Sequence, residues 1–114
     1  MKGILLATIA VLALSGCSTT PNQLRQDAPN ETYTSKKIPK DIMLCVANHW
    51  EDNSVVNTRE RINGYSVSAF LSDGKLRYLA DIEEENGTTI TRLYKWRSFA
   101  IGRDPWFGAA ENCQ

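Results

Sequence analysis

Two turn dipeptides, Asp73-Gly74 and Asn86-Gly87, constrain this chain more than any other feature, because each separates two strand-like runs. Asp-Gly and Asn-Gly tolerate the positive φ that tight hairpins demand. Before the first turn, Tyr65, Val67, Ala69 and Leu71 alternate with Ser66, Ser68 and Phe70. Two-residue turns at both sites set Leu71 opposite Leu76, Ala69 opposite Tyr78, Val67 opposite Ala80 and Tyr65 opposite Ile82. They also set Ala80 opposite Leu93 and Ile82 opposite Thr91. Side chains alternate with period two along a strand, so all of these fall on one face. Two independent turns agreeing on one apolar face predict an antiparallel meander. On its other face, Asp81 meets Arg92, an opposite-charge pair.

An additional strand, Val55 to Arg61, precedes the meander, with Asn63-Gly64 as its turn; that register puts Glu60 beside Val67. A helix is expected from Pro39 to Glu51. Proline suits a first helical turn, and Ile42, Cys45, Val46 and Trp50 recur at helical spacing. A second helix starts at Pro105 under an Asp104 cap, with Trp106, Ala109, Ala110 and Cys113 on one side. The expected fold class is α+β: an antiparallel meander of three to four strands, with an N-terminal and a C-terminal helix over one face.

The chain opens Met1-Lys2, runs apolar from Ile4 to Leu14 broken only by Thr8, and closes this segment with Leu14-Ser15-Gly16-Cys17. The apolar run is short of the roughly 20 residues a spanning helix needs. A basic start, a short apolar stretch and small residues are the marks of a secretory signal. The closing four residues resemble the lipobox of bacterial lipoproteins. The resemblance implies a signal peptide over residues 1–16, lipid on the Cys17 thiol, cleavage before Cys17 and acylation of the new amino terminus. Ser18 stands where that family carries aspartate for inner-membrane retention. Its presence implies a lipid-anchored protein of the cell envelope, at the outer membrane and facing the periplasm.

Cysteines 45 and 113 are then the two left over, in an oxidising compartment where such thiols pair. A Cys45–Cys113 disulfide would join the two helices and close a loop spanning most of the domain, worth on the order of 4 kcal/mol. Residues 18–37 hold only Leu24 and Tyr33 as large apolar side chains. Residues 17–37 are therefore expected to be a lipidated cysteine and flexible tether, and 38–114 a small α+β domain. The 13 basic and 13 acidic residues balance, so nothing draws the chain towards nucleic acid.

Little points to catalysis. His49 is the single histidine, one helical turn after Cys45, but two ligands do not make a zinc site and Cys45 has a better use with Cys113. Gly64-Tyr65-Ser66-Val67-Ser68 lacks the second glycine of a nucleophile elbow. Glu83-Glu84-Glu85, next to a hairpin tip, is read as a solvated charge run. No catalytic residues, metal or cofactor are expected. The candidate binding residues are Arg92, Tyr94 and Trp96, on the sheet face opposite the first apolar face, because Tyr, Trp and Arg are favoured in interface hot spots. Partial cover of that face by a loop such as residues 99–102 is the alternative.

The expectation is a non-enzymatic interaction module, held to the membrane through Cys17 and facing an envelope protein partner. Beyond the lipobox, the domain resembles small uncharacterised envelope lipoproteins. A second reading is a periplasmic inhibitor or immunity protein. Lysozyme-inhibitor lipoproteins are similar in size, disulfide and tether, but this chain lacks their Ser-Gly-x-x-Tyr loop. A third is an accessory subunit of a secretion, conjugation or phage-exclusion system.

Overall fold

A computed structural model describes residues 19–96 and 103–114. Cys17 and the expected covering loop at 99–102 lie outside them. The elements run α1 (Pro21–Leu24), β1 (Glu31–Ser35), α2 (Pro39–Trp50), β2 (Val55–Arg61), β3 (Gly64–Phe70), β4 (Leu76–Glu85), β5 (Thr88–Lys95) and α3 (Pro105–Asn112). The fold is α+β, with one five-stranded antiparallel sheet in the order β1-β5-β4-β3-β2. The meander has the four strands β2 to β5; the fifth strand exceeds the expected three to four.

That fifth strand corrects the expected tether. Residues 31–35 pair with β5, Tyr33 opposite Thr91, and form one edge of the sheet. Their side chains are mostly polar because an edge strand buries only every second residue, and here Ser35 is the buried one. Ahead of it, α1 carries a capping box: the Thr20 hydroxyl accepts from the Gln23 N–H, and the Gln23 side chain accepts from the Thr20 N–H at 2.8 Å. Leu24 is buried. Among the described residues, regular structure is therefore present from α1 onward and not only from near Ile38.

The second hairpin has the expected turn. Asn86 (φ 54°) and Gly87 (φ 80°) are both left-handed, as its two central positions require, and Glu85 faces Thr88. The first differs. Gly74 (φ 76°) closes a three-residue loop, with its N–H on the Leu71 carbonyl at 2.8 Å and the Leu71 N–H on the Lys75 carbonyl at 3.2 Å. A bulge between Ala69 and Phe70 then restores the expected pairs Ala69/Tyr78, Val67/Ala80 and Tyr65/Ile82. Phe70, not Leu71, faces Leu76, and Leu76 packs on the other face with Leu79 and Tyr94.

The Asn63-Gly64 reading also shifts. Arg61 pairs with Gly64, so Ile62 and Asn63 form the turn and Thr58, not Glu60, faces Val67. Gly64 is a strand residue pressed against β4: a Cβ there would lie 1.8 Å from the Ile82 carbonyl oxygen.

Helices α2 and α3 lie over the inner face. Ile42, Val46 and Trp50 of α2 pack with Val67, Ala69, Ala80, Ile82 and Leu93. Burying such side chains stabilises by about 1.5–3 kcal/mol each. In α3 the deepest residues are Phe107, Ala110 and Cys113; Trp106 is half-buried, stacked on Tyr78 with centroids 4.8 Å apart. Trp50 donates its indole N–H to the Trp106 carbonyl at 3.0 Å. Asp104 caps α3 through the Trp106 N–H at 2.9 Å, and its other oxygen accepts from the Tyr78 hydroxyl and the Lys95 ammonium. The Cys45–Cys113 disulfide joins the two helices, with Cα atoms 5.7 Å apart.

Burial, followed by its hydrogen bond to Asp104, raises the Tyr78 pKa above the ordinary tyrosine value. Burial and a hydrogen bond to Glu31 push Tyr33 up to about 12. A raised pKa means that the folded chain keeps its proton where the unfolded chain has lost it. The contribution is whole below pH about 10, the unfolded value, and is lost as pH rises through the folded one. We expect the melting temperature to hold up to about pH 10 and then fall, and the fall to be smaller in Tyr78→Phe relative to its own neutral value. An equal alkaline loss in both proteins would remove Tyr78 from the account.

Candidate functional site

Everything on the outer face of the sheet follows from strand alternation. Residues flanking the core positions point outward: Asn57, Arg59 and Arg61 on β2, Ser66 and Ser68 on β3, Leu79, Asp81 and Glu83 on β4, Arg92 and Tyr94 on β5. Helix α1 crosses part of this face. Leu24 packs with Leu76, Leu79 and Tyr94, and Phe70 and Trp96 close the cluster.

The candidate binding residues share this face but not one environment. Tyr94 is 7 % exposed, packed among Leu24, Leu76 and Leu79. Burial, then the charge of Asp81, raises its pKa. Arg92 reaches Glu85 at 3.3 Å rather than Asp81, although the register does place Arg92 opposite Asp81. Trp96 is half-buried, with the Arg77 guanidinium 4.3 Å above its ring, and Arg77 is itself held by Asp73. Tyr94 is thus part of the packing that docks α1 rather than an anchor offered to a partner. The cover on this part of the face is α1, which an apolar count of residues 18–37 does not reveal.

Asp81 organises the neighbouring region. It is 3 % exposed, and a buried carboxylate requires a partner. Arg25, one residue past α1, supplies it, with Nε donating to Oδ2 at 2.8 Å and Nη2 to Oδ1 at 2.9 Å. This hydrogen bond raises the Arg25 pKa. Its remaining Nη1 donates to Asn22 at 2.9 Å. Arg61 stands further off, Nη1 3.7 Å from Asp81 and Nε 3.6 Å from Glu83. Its Nε is buried with no hydrogen bond.

Between α1, β2 and β3 lies a cavity of about 310 Å³. Arg25, Arg59 and Arg61 line it, together with Asn57, Ser66 and Ser68. Ser66 and Ser68 are 4 % and 5 % exposed, and among the described residues neither hydroxyl makes a hydrogen bond. Arg59 is exposed and makes no ion pair among the described residues. The lining thus carries three guanidiniums and no carboxylate. Arginine stays charged throughout the physiological range, so the region attracts anions at any pH a cell presents. Sequence reasoning missed it because Arg25 lies in the stretch read as tether. The cue was the outward alternation Asn57-Arg59-Arg61 beside Ser66-Ser68.

On the inner side, ligand atoms of Cys45, His49 and Cys113 lie within 4.8 Å of one another. The two sulfurs are bonded to each other, and a metal ligand must be a thiolate. While the disulfide stands, exposed His49 is the one available donor of that set. Among the described residues no helix is long and apolar enough to cross a membrane. No protein-family model, curated protein or solved structure matches the chain.

Proposed function

We propose that the chain is a lipid-anchored protein of the bacterial envelope that acts by binding rather than by catalysis. The observation that carries this reading is the convergence of three guanidiniums and two serine hydroxyls without a protein partner among the described residues on one cavity of the outer face. Guanidiniums hold anions firmly and do not pass protons near neutral pH, so such a lining suits a ligand more than a reaction.

Anchoring rests on the resemblance of Leu14-Ser15-Gly16-Cys17 to the lipobox, and Ser18 supports the outer membrane as the destination. Cys17 precedes the first residue of α1, Pro21, by four positions. Four extended residues reach about 14 Å. A lipid on Cys17 therefore holds α1 and the cavity beside the bilayer surface, far closer than a flexible stretch to residue 37 would.

The test is metabolic labelling with palmitate. Wild type takes up label and fractionates with membranes, and Cys17→Ala loses the label and keeps its leader. Equal labelling of the two proteins would sink the anchoring.

A further inference from the structure

We propose that the cavity between α1, β2 and β3 binds a phosphate group, held by Arg59 and Arg61 and by the hydroxyls of Ser66 and Ser68. The lining side chains differ in what they have left to give. Arg25 is committed: Nε and Nη2 hold Asp81 and Nη1 holds Asn22. It shapes the wall and adds charge. Arg61 is not committed, because its distances of 3.7 Å to Asp81 and 3.6 Å to Glu83 are ion-pair contacts beyond good hydrogen-bond length. Its Nε is a buried donor with no acceptor. Arg59 brings a full guanidinium to the mouth with no carboxylate partner among the described residues.

Among the described residues neither serine hydroxyl has a protein partner, and neither oxygen is sealed from solvent, so both open onto the cavity, where water or a ligand can bond them. Ser66 and Ser68 stand side by side in alternation on β3, both in the cavity wall and both over nine-tenths buried. Two hydroxyls without a protein partner and the guanidiniums of Arg59 and Arg61 line one space. An oxyanion there can accept from all four side chains. Charge agrees: against Arg25, Arg59 and Arg61 stand Asp81 and Glu83, leaving one cation over.

Phosphate suits this space better than carboxylate. The donors come from two strands, and a planar carboxylate matches a single fork. A tetrahedral phosphate presents oxygens in several directions. A bare phosphate ion fills only part of about 310 Å³, and the rest admits the carbon skeleton that bears it. Phosphate binding does not depend on lipid at Cys17. Which source supplies the phosphate does: with the anchor in place, the nearest is a phospholipid headgroup.

The experiment is calorimetric titration of the full chain, oxidised and in non-ionic detergent, with inorganic phosphate, glycerol 3-phosphate and acetate. Phosphate and glycerol 3-phosphate should bind saturably, and acetate at least tenfold more weakly. Arg59→Gln should weaken phosphate binding at least tenfold without changing the melting temperature, because Arg59 is exposed. Ser66→Ala with Ser68→Ala should weaken it several-fold. Arg77→Gln, on the same face but outside the cavity, should leave it unchanged. Tighter binding of glycerol 3-phosphate than of phosphate assigns a headgroup, and equal binding assigns the free ion; either upholds the site. No saturable binding at millimolar concentrations, binding that Arg59→Gln leaves intact, or acetate binding as tightly as phosphate would overturn it. Loss of palmitate labelling alone would change only the source.

Discussion

Replacing Cys45 and Cys113 together with alanine should cost about 3–4 kcal/mol and lower the melting temperature by about 15–25 °C. The bond closes 68 positions of chain, and cross-linking a loop that long removes much of the freedom of the unfolded state. It also joins the C-terminal residues to the middle of α2. Without it, α3 keeps Phe107 and Ala110 in the core, the Asp104 cap, and the contacts of the Cys113 and Gln114 carbonyls with Lys37 and Ser35. The domain should therefore still fold at low temperature, with α3 the first part to exchange amide hydrogens. Thermal melting with and without a dithiol reductant measures the effect. A loss below about 1 kcal/mol would show that packing alone holds α3.

Gly64→Ala should be the most damaging substitution of a residue with no side chain of its own to lose. Its Cβ would sit 1.8 Å from the Ile82 carbonyl oxygen and 2.9 Å from the carbonyl carbon, both backbone atoms in a central strand. No rotamer relieves the overlap, so β3 must part from β4 at the start of the strand. The Glu84 N–H bond to the Asn63 carbonyl, 2.9 Å long, lies in the same place. Overpacking of this kind costs about 1–3 kcal/mol where side chains give way, and the upper end or more is expected where only backbone can move. Gly74→Ala is the control. Its φ of 76° makes alanine strained, but nothing lies within 4 Å of the added methyl, so only about 1 kcal/mol should be lost. Chemical denaturation of the two variants separates steric crowding from conformational strain. Equal losses would refute the close approach to Ile82.

The two glycines show how far the residues could be read in advance. Asn63-Gly64 and Asn86-Gly87 are the same dipeptide, yet only the second is a turn with both residues left-handed. Local chemistry permits a turn at either. At the first, β2 slips by two residues to bring Thr58 against Val67, and Gly64 enters the sheet where only a hydrogen fits. Likewise, Asp81 stands opposite Arg92 as pairing requires, but its carboxylate goes to Arg25, from a helix far away in sequence. Proximity on a strand does not decide an ion pair when a better-placed guanidinium can be buried with it.

What the sequence determined by itself was whatever follows from period and turn chemistry. Alternation and the Asp-Gly and Asn86-Gly87 pairs gave the pairing of Tyr65 to Ala69 with Tyr78 to Ile82, and of Ala80 and Ile82 with Leu93 and Thr91, but not the bulged end at Phe70. Helical spacing with Pro39, Asp104 and Pro105 placed the two main helices, and two cysteines on their inner sides paired. The tertiary structure alone decided the rest. Residues 21–35 look like solvated linker because Leu24, Arg25 and Tyr33 are too few to make a core. They become α1 and β1 because the edge of β5 supplies hydrogen bonds, an apolar patch receives Leu24 and buried Asp81 requires a cation. The arginine-lined cavity is formed the same way, from α1, β2 and β3 brought side by side. No local pattern encodes it, since its donors become one site only when the strands pair and the helix closes over them.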